Sequence, residues 1–172
     1  MKPKLFHVSE EPGITRFAPR PNYRRAGEMV WAVDEDHLVN FLVPRACPRI
    51  TFGRGAATTE ADEARFLGGV RRVVAFEAAW LERVRAGALF IYEMPAASFE
   101  PELAEAGYWV SGEAVAPLGM RQERDLLAAL ARAGAEVRIL QDFWPLCDAV
   151  ANSSLEFSII HKDAARPRSS EV

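Results

Sequence analysis

The stretch Leu5-Phe6-His7-Val8-Ser9 alternates its side chains between two faces and predicts a β-strand that carries a histidine. A second stretch, Met29-Val30-Trp31-Ala32-Val33, predicts a strand that passes directly into a helix beginning near Asp34. Residues 10–27 between them are rich in proline, glycine and arginine, which is typical of a loop. From these segments we predict that a histidine, an aromatic ring and several arginines surround one cleft.

The chain has 172 residues, of which 49% are apolar and 26% are charged, and this composition is typical of one globular domain. We predict a single domain over residues 1–162 and a polar C-terminal tail over residues 163–172. The net charge of -3 is small, and it argues against bulk nucleic-acid binding, which requires a concentrated basic surface. The oligomeric state stays open at this point.

The cysteines indicate a reducing compartment. Cys47 and Cys147 lie far apart and form no C-x-x-C pair, so no disulfide framework is predicted. The first residues contain no apolar run long enough for a signal peptide, and no stretch approaches the roughly 20 apolar residues of a membrane span. We therefore expect a cytoplasmic protein without a membrane partner.

The remaining pattern decides the fold class. Val73-Val74-Ala75-Phe76 predicts a central strand, residues 121–133 carry the clearest helical pattern, and Thr59 is expected to cap a helix with Asp62 three residues on. Strands outnumber helices and do not alternate strictly with them. The sequence therefore predicts an α+β fold, a twisted, partly antiparallel mixed sheet with packed helices, rather than a doubly wound parallel sheet.

No strong catalytic signature is present. Gly53-Arg54-Gly55 lacks the remaining glycine and the helix start of a dinucleotide-binding fingerprint, and neither G-x-S-x-G nor H-E-x-x-H occurs. His7, His37 and His161 do not have the spacing of zinc ligands, so no metal is expected.

The first third supplies the candidate ligand-binding residues. His7 is interpreted either as a core histidine that bonds the backbone or as a cleft residue that holds a ribose hydroxyl or a carbonyl. Arg16 and Arg20, with Arg24 and Arg25, give the loop a positive field, and guanidinium groups bind phosphate bidentately. The alternative for the arginines is a solvated loop.

Glu113 is the candidate catalytic acid. It follows the predicted strand 108–111 and stands beside Gly112, so its carboxylate can be aimed into a cleft or can lie in an exposed turn. Glu77 and Glu93 are rival acids at the ends of other strands. We expect His7→Ala and Glu113→Gln to leave folding intact and to abolish the response to the ligand or its turnover.

Two resemblances add to this interpretation. Residues 5–14, 30–34 and 157–160 resemble an uncharacterised bacterial family of single-domain proteins, a domain of unknown function, over nearly the whole chain. More distantly, the order of His7, Trp31 and Glu113 is similar to that in the ADP-ribosyltransferase-like fold. Trp31 stands where members of that fold usually have a tyrosine or a serine-threonine-serine signature.

The second resemblance implies an NAD site. His7 would contact the adenosine ribose, Trp31 would lie along the nicotinamide ring, and Glu113 would bind the nicotinamide ribose. A fixed carboxylate there would stabilise the positive charge that develops on the ribose when the glycosidic bond breaks. Arg16 or Arg20 would take the pyrophosphate.

Three hypotheses of function follow. The first is an NAD-binding, ADP-ribosyltransferase-like enzyme that performs ADP-ribosyl transfer or NAD glycohydrolysis. The second is a module that binds a small-molecule nucleotide or another phosphorylated ligand without catalysis. The third is a structural or partner-binding domain. Release of nicotinamide would support the first, a thermal shift without turnover the second, and a stable partner without either response the third.

Overall fold

The computed structural model describes residues 2–22 and 25–168. The chain divides into two compact units, one formed by Met1–Leu42 and Ala88–Arg124 and the other by Val43–Gly87 and Asp125–Val172. The second unit is therefore inserted into the first and continues after it. The single domain at 1–162 with a tail stays a prediction.

The strands of the described residues are β1 (Leu5–Ser9), β2 (Arg20–Asn22), β3 (Arg25–Asp34), β4 (Arg49–Gly53), β5 (Arg72–Glu77), β6 (Leu89–Met94), β7 (Glu100–Leu103), β8 (Tyr108–Ser111), β9 (Gly119–Glu123), β10 (Ala135–Leu140) and β11 (Glu156–Ile160). The helices are α1 (Glu60–Asp62, continued by a π-turn at Glu63–Leu67), α2 (Leu81–Ala86), α3 (Leu126–Arg132) and α4 (Trp144–Ala151). Short 3₁₀ helices occur at Leu38–Phe41, Ala78–Trp80, Ala96–Ser98, Ala104–Ala106 and Lys162–Ala164.

The first unit is built on an antiparallel sheet. Its strand order is β7-β8-β3-β1-β6-β9, and β2 pairs with β3. The central strand β1 therefore lies between β3 and β6. One face of this sheet carries an apolar core, which we call the Phe17 face, formed by Leu5, Phe17, Val30, Ala32, Tyr92, Met94, Phe99 and Val115.

The second unit has a four-stranded mixed sheet in the order β10-β5-β4-β11. β10 runs parallel to β5, and the other pairs are antiparallel. Side chains from the π-turn after α1 and from α4 pack on its strands in one core: Ile50, Phe52, Phe66, Leu67, Val73, Ala75, Phe143, Cys147, Val150 and Leu155. The continuous apolar run at 73–76 forms a buried strand, as predicted.

The α+β class is confirmed, with two sheets where the sequence predicted one. The predicted helix over 121–133 is shorter, because residues 119–123 form β9 and pair with β6. β9 is a mostly exposed edge strand without an apolar stripe, so hydrophobic periodicity does not reveal it. Asp125 then begins α3 by accepting a hydrogen bond from the Ala128 amide at 3.0 Å.

The beginning of the chain also differs in detail from the prediction. The loop predicted over 10–27 contains β2 and the start of β3, and the helix predicted near Asp34 is the short 3₁₀ helix Leu38–Phe41. Among the described residues, no helix is long and apolar enough to cross a membrane.

Asp62 connects α1 through hydrogen bonds to the chain segment just before β11. Thr59 caps α1, as predicted, by accepting from the Asp62 amide. The Asp62 Oδ2 atom accepts from the Ser154 amide at 2.7 Å and from its hydroxyl at 2.6 Å. These hydrogen bonds from Ser154 hold the pKa of Asp62 below its ordinary value of 3.8.

This lowered pKa predicts an acid-dependent contribution to stability. As the pH falls, the unfolded chain takes up the proton first, so the stabilisation is present above the ordinary pKa and is lost as the pH falls through the folded-state pKa. We expect Asp62→Asn to unfold at lower urea than the parent near neutral pH, and the difference to shrink below about pH 4. Urea titrations over a pH series would measure it, with the exposed Asp163→Asn as control. A gap that is independent of pH would contradict the assignment.

Candidate functional site

His7 lies in the middle of β1, directly across from Tyr92 of β6. Its Nδ1 atom lies 2.8 Å from the Trp31 main-chain oxygen. Because the pairing of β1 with β3 covers Leu5 and Phe6, the imidazole supplies a further hydrogen bond between these strands. A carbonyl only accepts, so Nδ1 carries a proton and donates this hydrogen bond. His7 thus bonds the backbone, while its side chain remains half-buried.

Phe17 joins the arginine-bearing loop to the same face. Its ring lies 4.6 Å from the His7 ring and 5.1 Å, edge-on, from the Tyr92 ring. Its amide donates to the Val115 oxygen at 2.7 Å, and the Val115 amide donates to the Phe17 oxygen at 2.8 Å. Three segments that are distant in sequence, around His7, Phe17 and Val115, therefore meet on the Phe17 face.

The two arginines of the prediction are exposed. Arg16 immediately precedes Phe17, and Arg20 begins β2, where it pairs with Met29 of β3. Arg24 lies outside the described residues. Arg16 is therefore the sequence neighbour of Phe17, whose ring contacts His7.

Glu113 lies two residues before Val115 in a turn that Ser111 holds. The main-chain amide of Glu113 donates to the Ser111 Oγ at 3.3 Å, and this hydroxyl donates to the main-chain oxygen of Glu113 at 3.5 Å. Ser111 is buried, whereas Glu113 is exposed. The turn fixes the backbone of Glu113 close to the Phe17–Val115 pairing and leaves its side chain exposed to solvent.

The Trp31 indole lies on the other side of the sheet. Ala32 belongs to the core of the Phe17 face, so strand alternation directs its neighbour Trp31 to the opposite face. There the indole packs edge-on against Tyr108 with ring centroids 5.9 Å apart, and its Nε1 atom is buried without a hydrogen-bond partner among the described residues. His7 therefore meets the carbonyl of Trp31, while the two rings, predicted to border one cleft, face opposite ways.

Neither rival acid belongs to the Phe17 face of the first unit. Glu93 is paired with Phe6, so alternation directs it to the face opposite His7. Glu77 belongs to the second unit, is 2% exposed and accepts a hydrogen bond from the Arg166 amide through Oε2 at 3.1 Å. Of the three carboxylates, Glu113 is the one that the chain connects to the Phe17–Val115 pairing.

Sequence reasoning missed Phe17 and Tyr92 as site residues. An isolated aromatic residue within a polar, proline-rich loop is a signal that could have identified Phe17, because such a side chain needs a surface on which to pack. No comparable signal marks Tyr92 within the apolar pattern of β6.

The two cysteines are buried and unpaired by a disulfide. Burial raises the pKa of the Cys47 thiol to about 12 and also raises that of Cys147, so both remain protonated near neutral pH. Within residues 2–22 and 25–168, no group of three or more His, Cys, Asp and Glu side chains is arranged to hold a metal ion.

Comparison with known proteins gives a family without an assigned activity. No curated protein and no solved structure matches the chain. Residues 6–165 match the sequence model of DUF6886, which is described as a family of unknown function. Since this match covers nearly the whole chain, the protein belongs to the DUF6886 family.

Proposed function

We propose that the protein binds NAD on the Phe17 face of its first unit and breaks the bond between nicotinamide and ribose, by ADP-ribosyl transfer or by glycohydrolysis. The observation that supports this proposal is the pairing of Phe17 with Val115, which brings the chain segments that carry Arg16 and Glu113 to the face on which His7 lies. A cation, an imidazole and a carboxylate fit a ligand that carries a pyrophosphate and ribose hydroxyls.

In this proposal His7 and Arg16 bind the nucleotide. The hydrogen bond from Nδ1 to the Trp31 carbonyl fixes the orientation of the ring, and the imidazole contacts a ribose of the ligand. Arg16 binds the pyrophosphate through charge-assisted hydrogen bonds, and Arg20 adds to the positive field. Trp31 contributes its carbonyl to the orientation of His7, rather than the ring to the nicotinamide.

Glu113 acts on the reacting bond. When the glycosidic bond breaks, the electron pair of that bond leaves with nicotinamide, and positive charge develops on the ribose. A carboxylate beside the ribose stabilises this charge and so lowers the energy of the transition state. Water or another acceptor then forms the new bond to the ribose carbon and releases a proton. The Ser111 turn positions the backbone of this acid.

The exposure of Glu113 favours a second candidate function. Electrostatic stabilisation is strong where water is excluded, and the Glu113 side chain is exposed to solvent in this structure. The same surface would then bind a nucleotide or another phosphorylated ligand through Arg16 and His7 without turnover. A cytoplasmic location stays a prediction for both candidates.

The test is release of nicotinamide from NAD by the purified protein. We expect turnover, and we expect Arg16→Ala to raise the KM for NAD about 10-fold, because it removes a charge-assisted contact to phosphate. Arg71→Ala removes an exposed arginine of the second unit and is the matched control, with no change in KM expected.

The outcomes separate the hypotheses. A thermal shift with NAD or ADP-ribose that needs Arg16, without any nicotinamide release, would replace the enzyme by the binding module. If neither turnover nor a thermal shift occurs, both functions are wrong.

A further inference from the structure

Tyr92 lies beneath the arginine-bearing loop at the centre of the Phe17 face. It is 1% exposed, it is paired with His7 across β1 and β6, and its ring packs edge-on against Phe17. The aromatic ring alone would fill this core. Packing at this position does not require the phenolic hydroxyl, which is a polar group.

The hydroxyl bonds two main-chain groups of the loop. It donates to the main-chain oxygen of Glu11 at 2.8 Å and accepts from the main-chain amide of Ile14 at 3.1 Å. Gly13 lies between these two residues and has a left-handed φ of 70°. One side chain of the sheet therefore closes the turn at the beginning of the loop, using both its donor and its acceptor capacity.

Arg16 lies between two anchors of the loop. Tyr92 holds the loop at Glu11 and Ile14, and the pairing with Val115 holds it at Phe17. A loop that is already fixed loses less conformational entropy when its arginine binds a ligand. Removing the hydroxyl would free the first anchor and leave the second in place.

We infer that Tyr92 is a positioning residue that preorganises the arginine-bearing loop for nucleotide binding. This role rests on the proposed function in one respect: the ligand that benefits is the NAD of that proposal. The loop anchoring itself is measurable without any ligand.

The experiment compares Tyr92→Phe with Tyr108→Phe, a control on the face opposite His7. Trypsin cleavage after Arg16, followed by mass spectrometry without ligand, reports opening of the loop, while urea titration reports global stability. We expect Tyr92→Phe to accelerate this cleavage about tenfold, because two main-chain groups of the loop lose their partner. With NAD, we expect a similar rise in KM and less than about a twofold change in kcat, since the hydroxyl does not act on the reacting bond.

Faster cleavage together with a raised KM supports the inference. If Tyr92→Phe is cleaved faster but the parent protein neither binds nor turns over NAD, the loop anchor is supported and the proposed function is overturned. Unchanged cleavage after Arg16, or equal acceleration in Tyr108→Phe, overturns the role of Tyr92 whatever the parent does with NAD. A fall in kcat at constant KM also overturns it, because positioning of the binding loop acts on KM.

Discussion

Gly107→Ala is expected to lower the free energy of unfolding by more than about 3 kcal/mol. Gly107 precedes β8 and has a left-handed φ of 69°, and its oxygen accepts from the Asp34 amide at 2.9 Å. A Cβ atom there would overlap the Nδ1 and Cγ atoms of His37 and lie 2.8 Å from the Asp34 Oδ1 atom. The alanine therefore adds a steric clash to the cost of the left-handed backbone.

The imidazole of His37 has little freedom to move away. Its Nδ1 atom lies 2.7 Å from the Asp34 Oδ1 atom, which also accepts from the His37 amide at 3.0 Å. Displacing the ring would break a hydrogen bond to a carboxylate, which contributes more than a bond between neutral groups. The methyl group therefore destabilises the fold either through a steric clash or through the loss of this hydrogen bond.

Gly13→Ala is the matched control for this substitution. Gly13 lies in the same unit and has a φ of 70°, but a Cβ atom there would meet nothing within 4 Å. We expect a loss of about 1 to 2 kcal/mol, the cost of a left-handed alanine alone. Urea titration of both variants separates the clash from the backbone term. Equal losses in the two variants would show that the Gly107 pocket accepts a methyl group.

The sequence predicted the strands of the site better than their pairing. The alternation in 5–9 and 29–33 identified β1 and the central part of β3, and the apolar run at 73–76 identified β5. Periodicity gives the face of a side chain only relative to its own strand, because the face within the sheet depends on register. The pairing of Phe6 with Val33 directs Trp31 away from His7, and no feature of the sequence specifies this pairing.

Polar edge strands are the second class of feature that the sequence did not predict. β7 and β9 are largely exposed, so they lack the apolar alternation by which strands are identified. The bridge between Phe17 and Val115 was also missed, since two isolated residues give no periodic signal. It is nevertheless the contact that draws the loop and the Glu113 turn together.

Glu113→Gln is expected to lower the kcat of nicotinamide release by about 100-fold or more while changing the KM for NAD by less than about threefold. Glutamine keeps the size of the side chain and removes the negative charge that would face the developing positive charge on the ribose. Because the proposed binding relies on Arg16 and His7, the loss should appear in the chemical step. Because Glu113 is exposed and its turn is held by backbone bonds to Ser111, the free energy of unfolding should stay within about 0.5 kcal/mol of the parent.

Glu105→Gln supplies the comparison that makes this result specific. Glu105 is an exposed glutamate of the same unit, in the short helix before Gly107, and its neutralisation changes the net charge equally. Full activity in Glu105→Gln beside the loss in Glu113→Gln would assign the effect to the position of the carboxylate rather than to overall charge. Retention of activity in Glu113→Gln would exclude it as the acid. Because Glu93 faces the other side of the sheet and Glu77 belongs to the second unit, that result would leave none of the three candidate acids on the Phe17 face.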